Sequence, residues 1–524
     1  MKTIENGEYW HNGLTKCLRK TLENWVDVPN KVKLNFNFDG LPIFKSSNKE
    51  FWPILCNIYE RPDIDPFVIG IYFGVGKPKN IDQYLDDFVK EIGNLIKEGI
   101  YIEKPNKIVS IEIRCFICDS PARAYIKGVC NFNAKHGCLK CVTVGEYSHL
   151  SHTVTFPETN CRPRTDQEFR DKKYGPHHKK DSPILRLPVN MIQDLPIADS
   201  LHLVDLGIMK RLLVGWRNGN FGKYITKWSA RNSETVSNFL VKRKLPSEIH
   251  RSVRGLDCLS HWKASEYRSF LLYLSIVILP EVLQHDAFSH FLAFFCGITI
   301  CSCKNYSHFL PLAKELLQYF VEHYKDFYGP DYITSNVHNV VQLTDEVQRF
   351  GPLHTFSAYP FENKLYLIKR MLRHGNKPLA QVAKKFSEDS ASEMSKGRES
   401  RQIAYVEPFV TTNSRKINAL NFSDFKISVK PQNKYVLCNN NDILEVTKIE
   451  TAVNSEIKIT YYKITDISDV FELPIKSSFL KIFKAKLPTT RRTETIVSPK
   501  DIKTKLVCTD HKNYLYFVPL LHTV

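Results

Sequence analysis

The sequence predicts a mixed α/β core, a large helical block and a terminal all-β region, and three observations lead there. Val32, Leu34, Phe36 and Phe38 alternate with Lys33, Asn35, Asn37 and Asp39, the period-2 pattern of a strand with one apolar face. The run Ile108 to Cys118 is apolar and β-branched, as a buried strand is, and it ends abruptly at Asp119-Ser120-Pro121. After Asp199 the apolar spacing turns helical, and after Tyr405 it breaks into short β runs such as KYVLC and EIKITYYKI.

A chain of 524 residues exceeds the usual size of one hydrophobic core, so two or three domains are expected. The boundaries read as a lead-in at 1–30, the first part of the α/β core at 31–150 and basic irregular loops at 151–198. A helical insertion follows at 199–350, a core helix segment at 351–395, a linker at 396–404 and a small all-β domain at 405–524. Lys+Arg 73 against Asp+Glu 55 gives +18, which favours a polyanionic partner, nucleic acid before membrane. The most apolar stretch, Phe270 to Leu283, is too short to span a bilayer and is interrupted by Pro280 and Glu281. Residues 1–30 are polar and charged and do not read as a signal peptide. The 14 cysteines therefore read as reduced thiols with a metal site among them, in the cytosol or, given the charge, the nucleus.

Taken in order, the first strand stops at Asp39-Gly40, a turn signal. Apolar runs from Phe51 to Ile58 and from Pro66 to Phe73 complete a three-strand meander. A helix follows, with Asn80 and Gln83 resembling a capping box. Ile81, Tyr84, Leu85, Phe88, Ile92, Leu95 and Ile96 form its apolar face, and Gly99 is the stop. The order strand, strand, strand, helix, strand has a geometric consequence. A right-handed crossover through the helix lays the strand ending at Asp119 parallel to the one ending at Asp39, with both carboxylates at one sheet edge. Two plainer readings stand beside this one: Asp119 as a helix N-cap and Asp39 as the Asp of an Asp-Gly turn. Further on, Leu201, Val204, Ile208, Leu212 and Leu213 mark one helix, and others lie near 267–283, 288–300 and 310–328. Gly351-Pro352 leads to a helix from Phe361, in which Phe361, Leu365, Ile368 and Leu372 share a face. Glu362, Tyr366, Lys369 and Arg373 lie on a neighbouring one. Of two Cys-x-x-Cys pairs, Cys115 and Cys118 read as core thiols facing opposite sides of a strand. Cys138 and Cys141 follow a helix start and are the metal candidates.

The stretches FNFDGLPIFKSS, ICDSPARA, HGCLKC, ADSLHLVDLGIMKRLL and GPLHTFSAYPFENKL occur in this order over roughly residues 5–395. With them the chain resembles the CACTA (En/Spm-like) DDE transposases, as a transposon-derived or N-terminally shortened member. The resemblance implies an RNase H-like mixed sheet interrupted by a large all-helical insertion. It also implies that Asp39, Asp119 and Glu362 are the three acids. Mg²⁺ or Mn²⁺ would be held by those acids, because two-ion phosphodiester chemistry needs carboxylates that activate the attacking oxygen and stabilise the leaving one. A structural zinc is implied at Cys138, Cys141 and His338. A second His, four residues on, is Gln342 here, and Gln is a poor zinc ligand, so Cys130, His136, His177 or His178 stand as substitutes. Asp199 and His202 match a D-x-x-H motif, read here as an N-cap plus a core His.

The function that follows is DNA cleavage and strand transfer on a DDE scaffold, with DNA as partner and a homo-oligomer compatible with it. Arg162, Arg164, Lys369 and Arg373 are the expected DNA contacts. A catalytically silent DNA- or chromatin-binding protein is the alternative, since no N-terminal site-specific DNA-binding module is visible and Gln342 departs from the motif. An unrelated metal-dependent nuclease would lack the motif series.

Overall fold

The computed structural model describes residues 1–44, 47–221, 226–394, 409–413, 416–451, 457–487 and 494–521. The chain forms two compact units, Met1–His202 with Thr355–Gln402, and Leu203–His354 with Ile403–Val524. The expected linker, 396–404, lies outside the described residues.

The first unit is built on a mixed sheet. Its strands are β1 (Lys2–Ile4), β2 (Gly7–His11), β3 (Lys31–Phe38), β4 (Leu41–Pro42), β5 (Lys49–Ile58), β6 (Phe67–Val75), β7 (Ile100–Ile102) and β8 (Lys107–Phe116). The order is β1-β2-β6-β5-β3-β8-β7, with β4 paired to β5. β3 and β8 run parallel, with Val32 beside Ile111 and Phe36 beside Phe116. The flanking pairs of β3 with β5 and of β8 with β7 are antiparallel. A parallel pair needs a crossover, and helix α2 (Ile81–Glu98) supplies it. Asn80 caps that helix by accepting from Gln83 N at 3.0 Å, and Gly99 ends it at φ 73°.

The period-2 pattern of β3 sorts its two faces. Phe36 and Phe38 stack on Phe116 and meet the edge of Phe88 from α2. The alternate set, Asn35 and Asn37, points the other way and is buried among polar partners: Arg114 donates to Asn35 Oδ1, and Asn37 donates to Ile117 O.

Residues 1–30 are not a lead-in. They supply β1, β2 and helix α1 (Leu14–Glu23), and β2 pairs along β6 inside the sheet. Leu14, Leu18 and Leu22, spaced by one helical turn, are wholly buried, which is the signal that the polar composition of the segment masks. Tyr9 and Trp10 alternate across the sheet. Tyr9 meets Tyr84 of α2, while Trp10 stacks on Phe386, a residue of the later helix Pro378–Met394.

One carboxylate fixes this corner. Gly13 opens α1 without a side chain to cap it, and Glu91 of α2 accepts from Leu14 N at 2.7 Å, Thr15 N at 2.9 Å and His11 Nε2 at 3.0 Å. Burial alone would raise the Glu91 pKa, but these donors outweigh it and hold it at about 2. A carboxyl held low in the folded state stabilises the fold above its unfolded pKa and loses that contribution as pH falls toward the folded one. Glu91→Gln is therefore expected to cost about 1–3 kcal/mol at neutral pH. The gap between variant and parent, followed by urea melts, should narrow once pH drops below about 4.5.

The second unit joins the helical block to the terminal β region. Helices His285–Cys301 and Leu310–Glu322 pack together, with His290 buried between the rings of Phe320 and Phe327. The β region holds an eight-stranded sheet running from Ile467–Asp469 at one edge to Glu494–Val497 at the other, and a three-stranded sheet formed by Phe409–Asn413, Lys416–Asn421 and Lys426–Ile427. Polar ties link the two parts of the unit. Lys505, wholly buried, donates to Glu248 Oε2 at 2.7 Å and Asn433 Oδ1 at 2.6 Å, and Tyr306 Oη donates to Leu480 O at 2.7 Å. No helix among the described residues is long and apolar enough to cross a membrane.

Candidate functional site

Asp39 follows directly on β3, and its Oδ1 accepts from Gly40 N at 2.7 Å. The chain does not turn there: Phe38 pairs with Ile54 and Leu41 with Phe51, so β4 continues β3 along β5 in the same register. Asp119 follows β8 and caps helix α3 (Ser120–Lys127), with Oδ1 accepting from Ala122 N at 2.7 Å and Pro121 in the first turn. The cap reading of Asp119 therefore holds, whereas the turn reading of Asp39 is corrected, because the strand runs on past Gly40. The cap does not compete with the acid reading, because in each residue one oxygen takes the backbone bond and the other is left for the site. The parallel pairing of β3 with β8 carries the two carboxylates to the same end of the sheet.

Glu362 arrives from far along the chain, in the first turn of helix α4 (Tyr359–Arg370). Phe361, Leu365 and Ile368 bury one face of that helix; Leu372 lies beyond its end and is only partly buried. Three ties hold the segment before it. Residue numbering across β3 and β8 slips by one after the pair Leu34 and Ile113, so that Asn35 meets Cys115 and Arg114 is the extra residue of a bulge. Arg114 stacks on Tyr59 at 4.1 Å and donates to both Thr355 O and Thr355 Oγ1 at 3.1 Å. Ser200 and Ser357 share a hydrogen bond of 2.8 Å, and Ala358 N donates to Asp199 Oδ1 at 2.8 Å.

The result is a cluster of like charges. The Asp39 carboxyl is held well above the ordinary range, first by burial and then by the charges of Asp119 and Glu362. His202 is the opposing charge. Its Nδ1 lies 2.5 Å from Asp199 Oδ2 and its Nε2 3.8 Å from Glu362 Oε1. Burial works against the imidazolium, but Asp199 and then the acid cluster outweigh it and raise His202 to about 9. The N-cap reading of Asp199 holds, since it also accepts from Leu201 N and His202 N. The core reading of His202 does not, because its ring faces the acids. The i, i+3 spacing in ADSLH was the signal that could have revealed it.

This donor set suits a hard divalent cation: three carboxylates whose mutual repulsion one imidazolium does not cancel, with Glu362 partly open to solvent. Asp39, Asp119 and Glu362 are the residues that would hold such ions.

The other expected site residues divide. Cys138 and Cys141 are buried, with sulfurs 3.4 Å apart. His338 belongs to the second unit, buried on the short helix Ser335–Asn339. Cys130 donates to His136 O at 2.9 Å, and His177 is buried with Nδ1 2.7 Å from the same carbonyl. Arg162 is exposed and paired with Glu168, while Lys369, also exposed, reaches Pro42 O; Arg373 is exposed. Arg164 is a correction. It is buried, lies against the Tyr174 ring at 4.3 Å and donates from Nε to Cys138 O at 3.1 Å, so it is a structural cation and not a surface contact. The stretch around it looked like an exposed basic loop because its charge hid the aromatic partners, Phe169 and Tyr174, that bury it.

A family model described as a domain of unknown function (DUF8592) matches residues 404–520, within the terminal β region. No curated protein matches the chain.

Replacing one acid tests the charge argument without reference to catalysis. Asp39→Asn is expected to raise the metal-free melting temperature by roughly 2–4 °C, equivalent to about 1 kcal/mol, because it removes repulsion. The stabilisation that Mn²⁺ or Mg²⁺ gives the parent should be absent from the variant, as thermal melts with and without metal would record.

Proposed function

We propose that the chain is a DDE-type polynucleotidyl transferase scaffold. On this reading the mixed sheet is an RNase H-like core, and Asp39, Asp119 and Glu362 serve DNA phosphodiester cleavage and strand transfer. The observation that carries it is the meeting of three carboxylates from separate parts of the sequence at one end of one sheet, where the charges of Asp119 and Glu362 both bear on the buried Asp39 and His202 faces Glu362. The motif series from FNFDG to PFEN supports it independently.

Divalent ions bound there would activate the attacking oxygen and stabilise the leaving one. The chain's own residues do the rest. Asp39 and Asp119 offer the oxygens left over from the Gly40 amide and the helix cap. Glu362 closes the set from a helix whose approach is fixed by Arg114, Ser200 and Asp199. His202 holds a proton on Nε2, the ring atom facing Glu362, while Nδ1 is committed to Asp199, so the site keeps one positive group facing an anionic substrate. The zinc at Cys138 and Cys141 belongs to the same proposal, as does a nuclear location.

The test is nicking and strand joining of labelled duplex DNA in Mg²⁺ or Mn²⁺. The parent should be active, and alanine at Asp39, Asp119 or Glu362 should reduce activity by at least about a thousandfold with melting behaviour intact. Metal-dependent cleavage that survives all three replacements would sink the proposal. DNA binding with no cleavage by the parent would favour the silent, retained scaffold.

Binding to DNA should be carried by ion pairs with phosphates. Log affinity is expected to fall linearly with log salt, and Lys369→Glu with Arg373→Glu should flatten that slope by about one unit for each phosphate left without its cation. Arg164→Ala should instead lower stability and leave the slope unchanged. Fluorescence anisotropy at several salt concentrations distinguishes them.

A further inference from the structure

We propose that Cys161 is a third thiolate ligand, completing with Cys138 and Cys141 a sulfur-rich site for a zinc-like divalent ion. The inference deepens the metal reading of the cysteine pair and rests on it.

Backbone pairing in the first unit aligns the two segments that carry these cysteines. Arg164 N donates to Lys140 O at 2.7 Å and Val142 N to Arg162 O at 3.0 Å, with an antiparallel bridge between Cys141 and Pro163. That register sets Thr143 opposite Cys161. Alternate residues of a strand share a face, so Cys161 stands on the face of Cys141, in the diagonal position about 7–8 Å away between backbones. Two sulfurs at that spacing can converge on one ion through metal–sulfur bonds of about 2.3 Å. The Cys138 and Cys141 sulfurs are already 3.4 Å apart. The Cys161 thiol is only partly buried, which leaves its side chain room to change rotamer toward the pair.

The surroundings ask for negative charge. Arg164 and Lys127 are buried, and Arg164 donates from Nε to Cys138 O at 3.1 Å, so a cation lies against the cysteine pair. Thiols supply that charge only as thiolates, and a bound metal is what makes buried thiols ionise. Two thiolates merely cancel a divalent ion. Three leave the centre with one negative charge, which offsets the buried cations. Cys130 is the competing thiol, but its sulfur is engaged with His136 O.

The experiment loads the full chain with Co²⁺, whose sulfur-to-metal absorption scales with the number of thiolates, and compares the parent with Cys161→Ser, Cys161→His, Cys130→Ser and Cys138→Ser. Each variant is first checked for an unchanged fold by circular dichroism. With excess Mg²⁺ present to occupy the carboxylate cluster, one cobalt per chain is expected in the parent. The charge-transfer intensity per bound metal should drop by about a third in Cys161→Ser and Cys161→His, stay unchanged in Cys130→Ser, and come with at least about tenfold weaker binding in Cys161→Ser than in Cys161→His. If the parent binds cobalt and Cys161→Ser keeps its full intensity and affinity, Cys161 is not a ligand and this inference alone falls. A parent that binds no metal, or that binds it equally after Cys138→Ser, removes the metal reading of the pair and this inference with it.

Discussion

The first unit depends on one register, the parallel pairing of β3 with β8 and the single-residue slip within it. Because strand side chains alternate, a shift of one residue would turn Asp39 toward α2 and bring Phe38 to the polar face. The aromatic set of Phe36, Phe38, Phe88 and Phe116 prevents that, since it can be buried in only one register. The slip has a second effect. It releases Arg114 from the regular ladder, and the guanidinium then spans from Asn35 to Thr355, two residues about 320 positions apart in the chain. The device that orders the first two acids is thus the one that ties in the segment leading to the third.

Two charged neighbourhoods of opposite sign lie in this unit. At the end of the sheet, carboxylates outnumber cations and His202 is held protonated. In the hairpin around Cys141, cations are buried among thiols. Neither arrangement is explained by folding alone. Replacing buried or clustered charges with apolar groups often costs nothing or stabilises, so a fold selected only for stability has no reason to keep either cluster. Asp199 shows how the cost is contained: it is fully buried but takes hydrogen bonds from three backbone amides and one imidazolium, and its pKa falls although burial pushes the other way.

Much of this was legible in the sequence, and the failures have physical causes. The strand alternation before Asp39, the cap at Asn80, the crossover helix and the strand-to-helix junction at Asp119 are local signals within a few residues, and the structure has each of them. The convergence of Glu362 with Asp39 was legible only through the resemblance, because no local pattern relates residues so far apart. The sheet strands β1 and β2 were missed because a five-residue strand at a sheet's side, GEYWH, has too few positions to show a period. Arg164 was misread because composition reports charge but not what covers it. His202 was undervalued for the opposite reason: an apolar-looking helix suggested a core residue, whereas the ring lies at the margin where that helix meets the acids. Glu91 carries no sequence signal at all, since its partners are the amides of a helix start 77 residues earlier.

The burial of Lys505 bears on where the chain can be divided. Its ammonium is satisfied by Glu248 and Asn433, the first from the helical block and the second from the β region, and at the far end of the same strand Glu281 of the helical block takes His511 and Lys512. Cutting the chain near residue 404, where the family match begins, would strand acids on one piece and a desolvated ammonium on the other. The matched segment is therefore not a mechanical module: in this protein it is seated by ionic contacts that neither fragment carries with it.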